Sequence, residues 1–531
     1  MKRLIAAVFL LSVVFGGSAA FSKTARPDLN KEVFYQIIIR SFYDSNGDGV
    51  GDIKGLDMKL DYLQELGVTT IWVTPIFASH VYHNYFADDF CKIDPSLGTL
   101  DDFRTLCRDV HKRGMKLLLD METQYITKEH PWFTKAIADP KSEYNDYIAW
   151  TDREEEIPLA AINGFAEAVG YNGTTIGIMT LNMNSRKLLE AEKKIYAYWL
   201  DPNADGDFSD GVDGYRMDHM MDDLDNKHLF TGILSGFWRP IVEYTKKIKP
   251  DIVYIAEPAD WGAQWDAILD ESGFDGAFNI PQRGAILGMA RDKLADEMKL
   301  VEDGDAGKYS LTIIENHDVN RFASEADSGS LKMGAFLNVA LPGAPCLYYG
   351  QELGMKGERL DGQTDGNDIP LREAFRWYRD WTKKGMAVWY KVDKKPEKAF
   401  LTDEFWVDAN VKVNDGTTLE EQKGNAASLW SYYKKVIALR KDNAALQTGA
   451  SEMIDAGDEE VLSYVRSEKG ASPVCVIANL SSKKKEIVLD LKKSEMKGSA
   501  FTDLVGGKKV EAADLSKVKL TLAPYQRMLL K

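Results

Sequence analysis

The sequence predicts an α/β protein: a (β/α)8 TIM barrel with a B domain inserted after the third strand and a C-terminal β-sandwich. Three observations predict it. Short β-branched or aromatic runs alternate with helical stretches through eight units between residues 33 and 350. The connection after the third run, residues 122–184, is far longer than a βα loop needs and is expected to be a small domain. Past residue 450 the texture changes to short alternating strands without helices.

Taken in order, the barrel strands are expected at Val33–Ile39, Thr70–Pro75, Lys116–Leu119, Gly214–Met217, Ile252–Ala256, Phe274–Phe278, Leu311–Ile314 and Ala344–Tyr349. Lys54–Leu66 and Leu100–Arg113 carry apolar residues at helical spacing, as helices packed on a barrel must. A second insertion, residues 356–422, is rich in Trp, Tyr and charge, and a helix over Ala426–Lys441 then closes the barrel domain, 28–450. Strands at Val461–Arg466, Val474–Asn479 and Glu486–Leu489 belong to the sandwich, 451–531.

Residues 1–20 have the layout of a signal peptide: Lys2 and Arg3, an apolar run from Leu4 to Phe15, then Ser18-Ala19-Ala20 for cleavage. The run is too short to span a bilayer. The protein is therefore expected to be exported, periplasmic or extracellular, with no membrane attachment once the leader is cut. The net charge of −16 opposes a nucleic-acid partner, which needs a basic face. Four cysteines in 531 residues are sparse for an exported chain. Cys91 and Cys107 are candidates for one disulfide, and Cys346, in an apolar run, is expected as a buried thiol.

In barrels of this kind chemistry sits at the C-terminal ends of the strands. Asp218 ends the fourth, Glu257 the fifth and His317-Asp318 the seventh, while Tyr85 lies in the loop after the second. One carboxylate at a strand end is commonly a helix cap or a surface charge. Three delivered to one rim by separate strands fit retaining glycoside hydrolysis, which uses a carboxylate nucleophile and a carboxylic acid about 5–5.5 Å apart. Arg216, two residues before Asp218 and on the same strand face, supplies the positive charge that keeps Asp218 ionised. Glu257 follows an apolar run, a setting that favours the protonated acid. Asp318 is placed to bind ring hydroxyls, with His317 as a second donor.

These segments, VFYQIIIRSFYDSNGDGVGDIKGL, GVDGYRMDHM, IAEPADWG, IIENHDVNR and PGAPCLYYGQELGMKG, resemble the α-amylase family, glycoside hydrolase family 13, over nearly the whole chain. The resemblance implies Asp218 as nucleophile, Glu257 as acid/base and Asp318 as transition-state stabiliser. It also implies Arg216, His317 and Tyr85 around the −1 sugar, with Tyr85 stacked on the ring. The family's third-strand motif ends in Asn-His, where this chain has LLLDMETQY: Asp120 is kept, and Gln124 and Tyr125 take the other two places. Tyr125 is expected on the substrate side. In many members the Asn and a second His hold a calcium between barrel and B domain, so that site is put in doubt here, as are acceptor contacts near Met221-Asp222.

A different calcium loop is expected at Asp44, Asn46, Asp48, Val50 and Asp52, where oxygen ligands alternate, glycines turn the chain and Val50 offers its carbonyl. The loop Asp201–Asp207 reads equally as a second such loop or as a solvated turn. The leading functional expectation is hydrolysis of α-1,4 bonds in starch or maltooligosaccharides. An exo-acting α-glucosidase, a neopullulanase-type enzyme or a transferase shares the same intermediate. A non-catalytic sugar-binding homologue is opposed by the retention of all three carboxylates.

Overall fold

The computed structural model describes residues 28–161, 167–262, 265–304, 307–361, 365–390 and 415–531. The expected signal peptide and residues 391–414 of the second insertion lie outside them. Eight parallel strands form a closed barrel in chain order: β1 (Phe34–Ile37), β2 (Thr70–Val73), β3 (Lys116–Met121), β4 (Gly214–Met220), β5 (Val253–Pro258), β6 (Gly276–Asn279), β7 (Tyr309–Thr312) and β8 (Ala344–Tyr348). β8 closes on β1 in the register Phe34 to Cys346.

Strands buried on both faces become continuous apolar runs, and their two-residue period divides those runs between two cores. Phe34, Trp72, Leu118, Ile255, Leu311 and Cys346 fill the barrel interior. Their neighbours Tyr35, Ile71, Leu117, Leu119, Tyr254 and Leu347 face the helices. The helix Leu100–Lys112 starts at a Thr99/Asp102 capping box and buries Phe103, Leu106, Cys107 and Val110 along one stripe. The helix Leu429–Lys441 covers the seam: buried Arg440 donates to the carbonyls of Val339 (2.8 Å), Gly343 (2.6 Å) and Asn30 (2.8 Å).

Between β3 and β4 the chain builds an antiparallel sheet of Tyr125–Thr127, Thr175–Thr180 and Glu167–Val169, with the helix Pro131–Ala138 between its first strand and the other two. The C-terminal domain carries a four-stranded antiparallel sheet, Ala450–Met453, Val461–Ser467, Val474–Asn479 and Arg527–Leu530. One face of it (Val461, Val465, Cys475, Ile477, Leu530) shares a core with Ile487, Leu489, Phe501 and Leu522. The other face (Leu462, Tyr464, Val476, Leu529) joins the core of the barrel, where the Tyr464 hydroxyl donates to the Ala340 carbonyl at 2.9 Å.

The disulfide between Cys91 and Cys107 does not form: all four cysteines are free thiols. Cys107 is on the buried stripe of its helix, packed as a small apolar side chain, and Cys91 is on the separate strand Asp89–Ile93. Cys346 is buried, as expected.

Candidate active site

The centre is organised by Arg216, which is 1% exposed and stands within β4. Its Nη1 donates to Asp120 Oδ1 at 2.8 Å and to Asp218 Oδ1, and its Nη2 lies 2.7 Å from Glu257 Oε2. Three carboxyls from three adjacent strands therefore share one guanidinium. The sharing follows from register: Arg216 stands opposite Asp120 on β3 and Ile255 on β5, so the next inward positions bring Asp218 and Glu257 beside it. The β4–β5 register shifts between Met217 and Met220, and His219 takes φ 51°. That bulge lets the strand turn Asp218 into the cleft.

A second layer fixes the wall opposite. The Tyr85 hydroxyl donates to Asp120 Oδ2 at 2.8 Å, and Trp72 Nε1 donates to the same oxygen at 3.1 Å. Tyr85 and His317 lie parallel, centroids 5.3 Å apart and 4° between planes, with 2.7 Å from the Tyr85 oxygen to His317 Nε2. Gln36 Nε2 donates to His317 Nδ1 at 2.7 Å, so the proton sits on Nε2, which faces Tyr85 and Asp318 Oδ2 at 3.1 Å. Burial holds His317 down to about 3, a neutral imidazole that donates without carrying charge.

Asp318 stands beyond β7 rather than in it. Its loop is held by Asn316 Oδ1, which accepts from the amides of Asp318 (2.9 Å) and Val319 (3.1 Å). Buried Glu315 anchors the far side through Arg321 Nη1 at 3.0 Å and the Phe322 amide at 2.6 Å. Asp318 Oδ1 accepts from Arg372 Nη2 at 2.8 Å, and Arg372 also donates to the Tyr82 hydroxyl (2.8 Å) and the His317 carbonyl (2.9 Å).

The two carboxyls nearest Arg216 have opposite protonation. Burial works against charge on Asp218, but Arg216 and a hydrogen bond from Glu257 outweigh it and hold the group down to about 2. Burial raises Glu257 well above the ordinary carboxylate range; Asp218 and Asp318 add to the rise and Arg216 only offsets part of it. One carboxylate and one carboxylic acid, side by side, can attack a carbon and protonate an oxygen in the same encounter.

The chain matches the family described as alpha amylase, catalytic domain, over residues 36–261 and 283–449, and the maltogenic amylase C-terminal domain over 451–529. It belongs to the α-amylase family of glycoside hydrolases. Among curated relatives it is 28% identical to alpha-amylase 3 of Dictyoglomus thermophilum, covering 91% of this chain and 90% of that one. It is 26% identical to an oligo-1,6-glucosidase of Bacillus cereus, over 94% of this chain and 98% of that protein. Among solved structures, the alpha-amylase from H. orenii superimposes with a TM-score of 0.74 at 28% identity, covering 94% of this chain and 99% of that one.

Against that family background, the third-strand departures take up structural work. Gln124 Nε2 lies 3.2 and 3.3 Å from the carbonyls of Asp218 and His219. Tyr125 is fully buried and donates to Asp225 Oδ1 at 2.7 Å, bracing the loop after β4. Asp225 also accepts from Lys227 Nζ at 3.0 Å and bonds His219 Nε2 at 3.1 Å. Lys227 reaches the carbonyls of Ala160 (2.6 Å) and Ala161 (3.2 Å), placing a tethered ammonium between barrel and insertion.

In the loop expected to bind calcium, Asp44 accepts from the amides of Gly47 (2.6 Å) and Gly49 (2.8 Å), Asn46 from Asp48 and Asp48 from Val50 (both 2.8 Å). Asp52 accepts from the Ser45 amide at 2.9 Å and caps the helix Ile53–Asp57 through the Gly55 amide at 2.7 Å. Among the described residues, the acidic and histidine side chains that gather within 4.8 Å as a threesome are His80, Asp88 and Glu129, not the carboxylates of this loop. Asp120 is the Asp retained in the third-strand motif; Gln36 and Arg372 escaped the sequence reading. Gln36 was recoverable from two-residue spacing on β1; Arg372 carries no local signal.

Proposed function

We propose that the protein hydrolyses α-1,4-glucosidic bonds of maltooligosaccharides or starch with retention of configuration. Asp218 attacks C1 of the −1 sugar while the Glu257 proton passes to the departing oxygen, so the glycosidic bond breaks as the Asp218 ester forms. Water then attacks C1, gives its proton to Glu257, and the ester's electron pair returns to Asp218. Asp318, Arg216, His317 and Tyr85 surround the sugar, and the neutral His317, its Nε2–H directed at the Tyr85 oxygen and Asp318, holds both in place without adding charge. The observation that carries this reading is the placement of Asp218 and Glu257 on one arginine, where Arg216 holds Asp218 down and burial raises Glu257.

A second reading, release of units from the non-reducing end, is favoured by Arg372. The acid/base on β5 marks the side from which the aglycone leaves, so the glycone points across the barrel toward β8, β1 and β2. There Arg372 binds Asp318 and Tyr82, Tyr82 stacks on Trp389 with centroids 4.8 Å apart, and Tyr171 of the insertion packs on both rings. The Tyr171 amide and the Tyr82 hydroxyl both donate to Asp365, at 2.6 and 2.9 Å. Such a wall limits how many sugars precede the cleaved bond. Maltoheptaose digestion with proton NMR tests both readings. α-Anomeric products support retention; early maltose and longer fragments mean endo action, and glucose alone means exo action.

We read Asp44, Asn46, Asp48, the Val50 carbonyl and Asp52 as the holders of a structural calcium. The donor set is entirely oxygen at alternate positions, and Gly47 and Gly49, at φ 91° and 90°, turn the chain between them. Bound there, calcium would stiffen the loop after β1. Export remains the proposal for the N-terminal leader. Comparing the melting temperature with calcium and with chelator tests the metal.

A further inference from the structure

Inside the catalytic centre lies a fifth carboxyl, Glu122, that the mechanism above does not use. The β3–β4 register pairs Leu119 with Tyr215, Asp120 with Arg216 and Met121 with Met217, and carried one step on it places Glu122 beside Asp218. Residues two apart on a strand share a face, so Asp120 and Glu122 flank the Arg216 and Asp218 pair. Glu122 is 2% exposed, and its carboxyl lies within hydrogen-bond reach of the Asp218 carboxyl. Its Oε1 accepts from the Gln124 amide at 2.5 Å, and its Oε2 faces Gln124 Nε2 at 3.3 Å.

We propose that Glu122 is a positioning residue: as the neutral acid it donates a hydrogen bond to Asp218, orienting it for attack and stabilising it again as it departs from the glycosyl ester. The proposal rests on the reading of Asp218 as nucleophile. The Glu122 proton stays on Glu122 throughout; no bond to the sugar is made or broken by it.

The surroundings favour the neutral form. Arg216, the cation at this point, is already shared by Asp120, Asp218 and Glu257. From β4 Glu122 faces Asp218, with His219 next in sequence; from its own segment, Asp120, Gln124 and Tyr125. From the helix Arg186–Leu200 come Tyr196 and buried Glu192, itself raised to about 8 by burial. Burial, then the negative charge of Asp218, pushes Glu122 well above the ordinary carboxylate range. Ionising it would remove the donor and set a second negative charge against the nucleophile.

Two variants separate this role from simple packing. Glu122→Gln keeps a donor of the same shape that cannot ionise; Glu122→Leu fills similar volume with no donor. The expected result is kcat within about threefold of native for Gln and a fall of roughly 10- to 100-fold for Leu, the cost of one donor at a charged centre. The Leu variant should also accumulate glycosyl-enzyme, read as a burst with α-glucosyl fluoride. In the native enzyme the alkaline limb of kcat/KM should fall more steeply than a one-proton titration, because Glu257 and Glu122 must both be protonated, and Glu122→Gln should restore the one-proton slope. Equal losses in both variants with unchanged pH profiles would overturn the proposal, as would native kcat in the Leu variant. A trapped glycosyl group on a carboxyl other than Asp218 would overturn the reading of the nucleophile as well, and a label on Asp218 with equal variants would overturn this proposal alone.

Discussion

The two ends of the barrel hold their carboxylates in different ways. Under the strands, where the chain enters, each acid has its own cation. Glu32, just before β1, pairs with Lys116; Asp213, just before β4, with Lys249 Nζ (2.8 Å) and His111 Nε2 (2.8 Å); and Asp275, just before β6, with Lys246 (2.9 Å). At the other end Asp120, Asp218 and Glu257 share Arg216, and Glu122 lies against Asp218 with no cation of its own among the described residues. Matched charges tie strands together. Crowded, buried acids around one arginine cannot all ionise, and the result is an ionised nucleophile beside protonated acids. The lower end is arranged for stability and the upper end for reactivity, at some cost in stability.

That contrast is broken most severely at Asp218. Asp218→Asn should lower kcat on maltooligosaccharides by roughly 10³- to 10⁵-fold, with a stability cost no larger than one depressed carboxyl carries, since Asp120 and Glu257 still pair with Arg216. A large drop in melting temperature would place Asp218 among the structural acids. Glu257→Gln should cost roughly 10²- to 10⁴-fold on natural substrates and far less on α-glucosyl fluoride, whose leaving group needs no proton. Equal loss on both substrates would remove Glu257 from the acid role.

The pH profile sharpens the comparison further. The active form has Asp218 ionised and Glu257 protonated. Activity should therefore persist at pH values acidic for an ordinary carboxylate and fall on the alkaline side as Glu257 ionises. A profile with a single acid limb and no alkaline fall would contradict the assignment.

The smallest effect belongs to the lower end. Burial opposes charge on Asp213, but His111 and Lys249 hold it down to about 2. A depressed carboxyl stabilises the fold above its unfolded value near 3.8, and that contribution is lost as pH falls toward about 2. Asp213→Asn should cost about 2 kcal/mol of stability at neutral pH while leaving kcat/KM within about twofold. Denaturant titration at pH 7 and pH 3 checks this, and the variant should differ less from native at the lower pH.

What was legible in the sequence follows the same division. All eight barrel strands were recoverable because each is buried on both faces and therefore apolar throughout. Asp218 and Glu257 were recoverable because they end such runs. Asp318 was read as the end of the seventh strand but stands six residues past β7, in a loop set by Asn316 and the Glu315–Arg321 pair rather than by strand period. Arg372 reaches Asp318 across 54 residues of chain, a contact that no local pattern encodes. Tyr125 was noted for its place in a motif, and its bond to Asp225, 100 residues on, is equally beyond any local pattern. Glu122 was visible in LLLDMETQY all along, two residues after Asp120, and gained meaning only when β3 was laid beside β4.

The central claim is that Asp218 carries the sugar between the two half-reactions. Incubation with 5-fluoro-α-D-glucosyl fluoride, followed by proteolysis and mass spectrometry of the labelled peptide, tests it directly. The expected result is one fluoroglucosyl group on the peptide containing Asp218, released on addition of a sugar acceptor. A label on Glu257, Asp318 or Glu122, or no covalent species together with β-anomeric products, would contradict it.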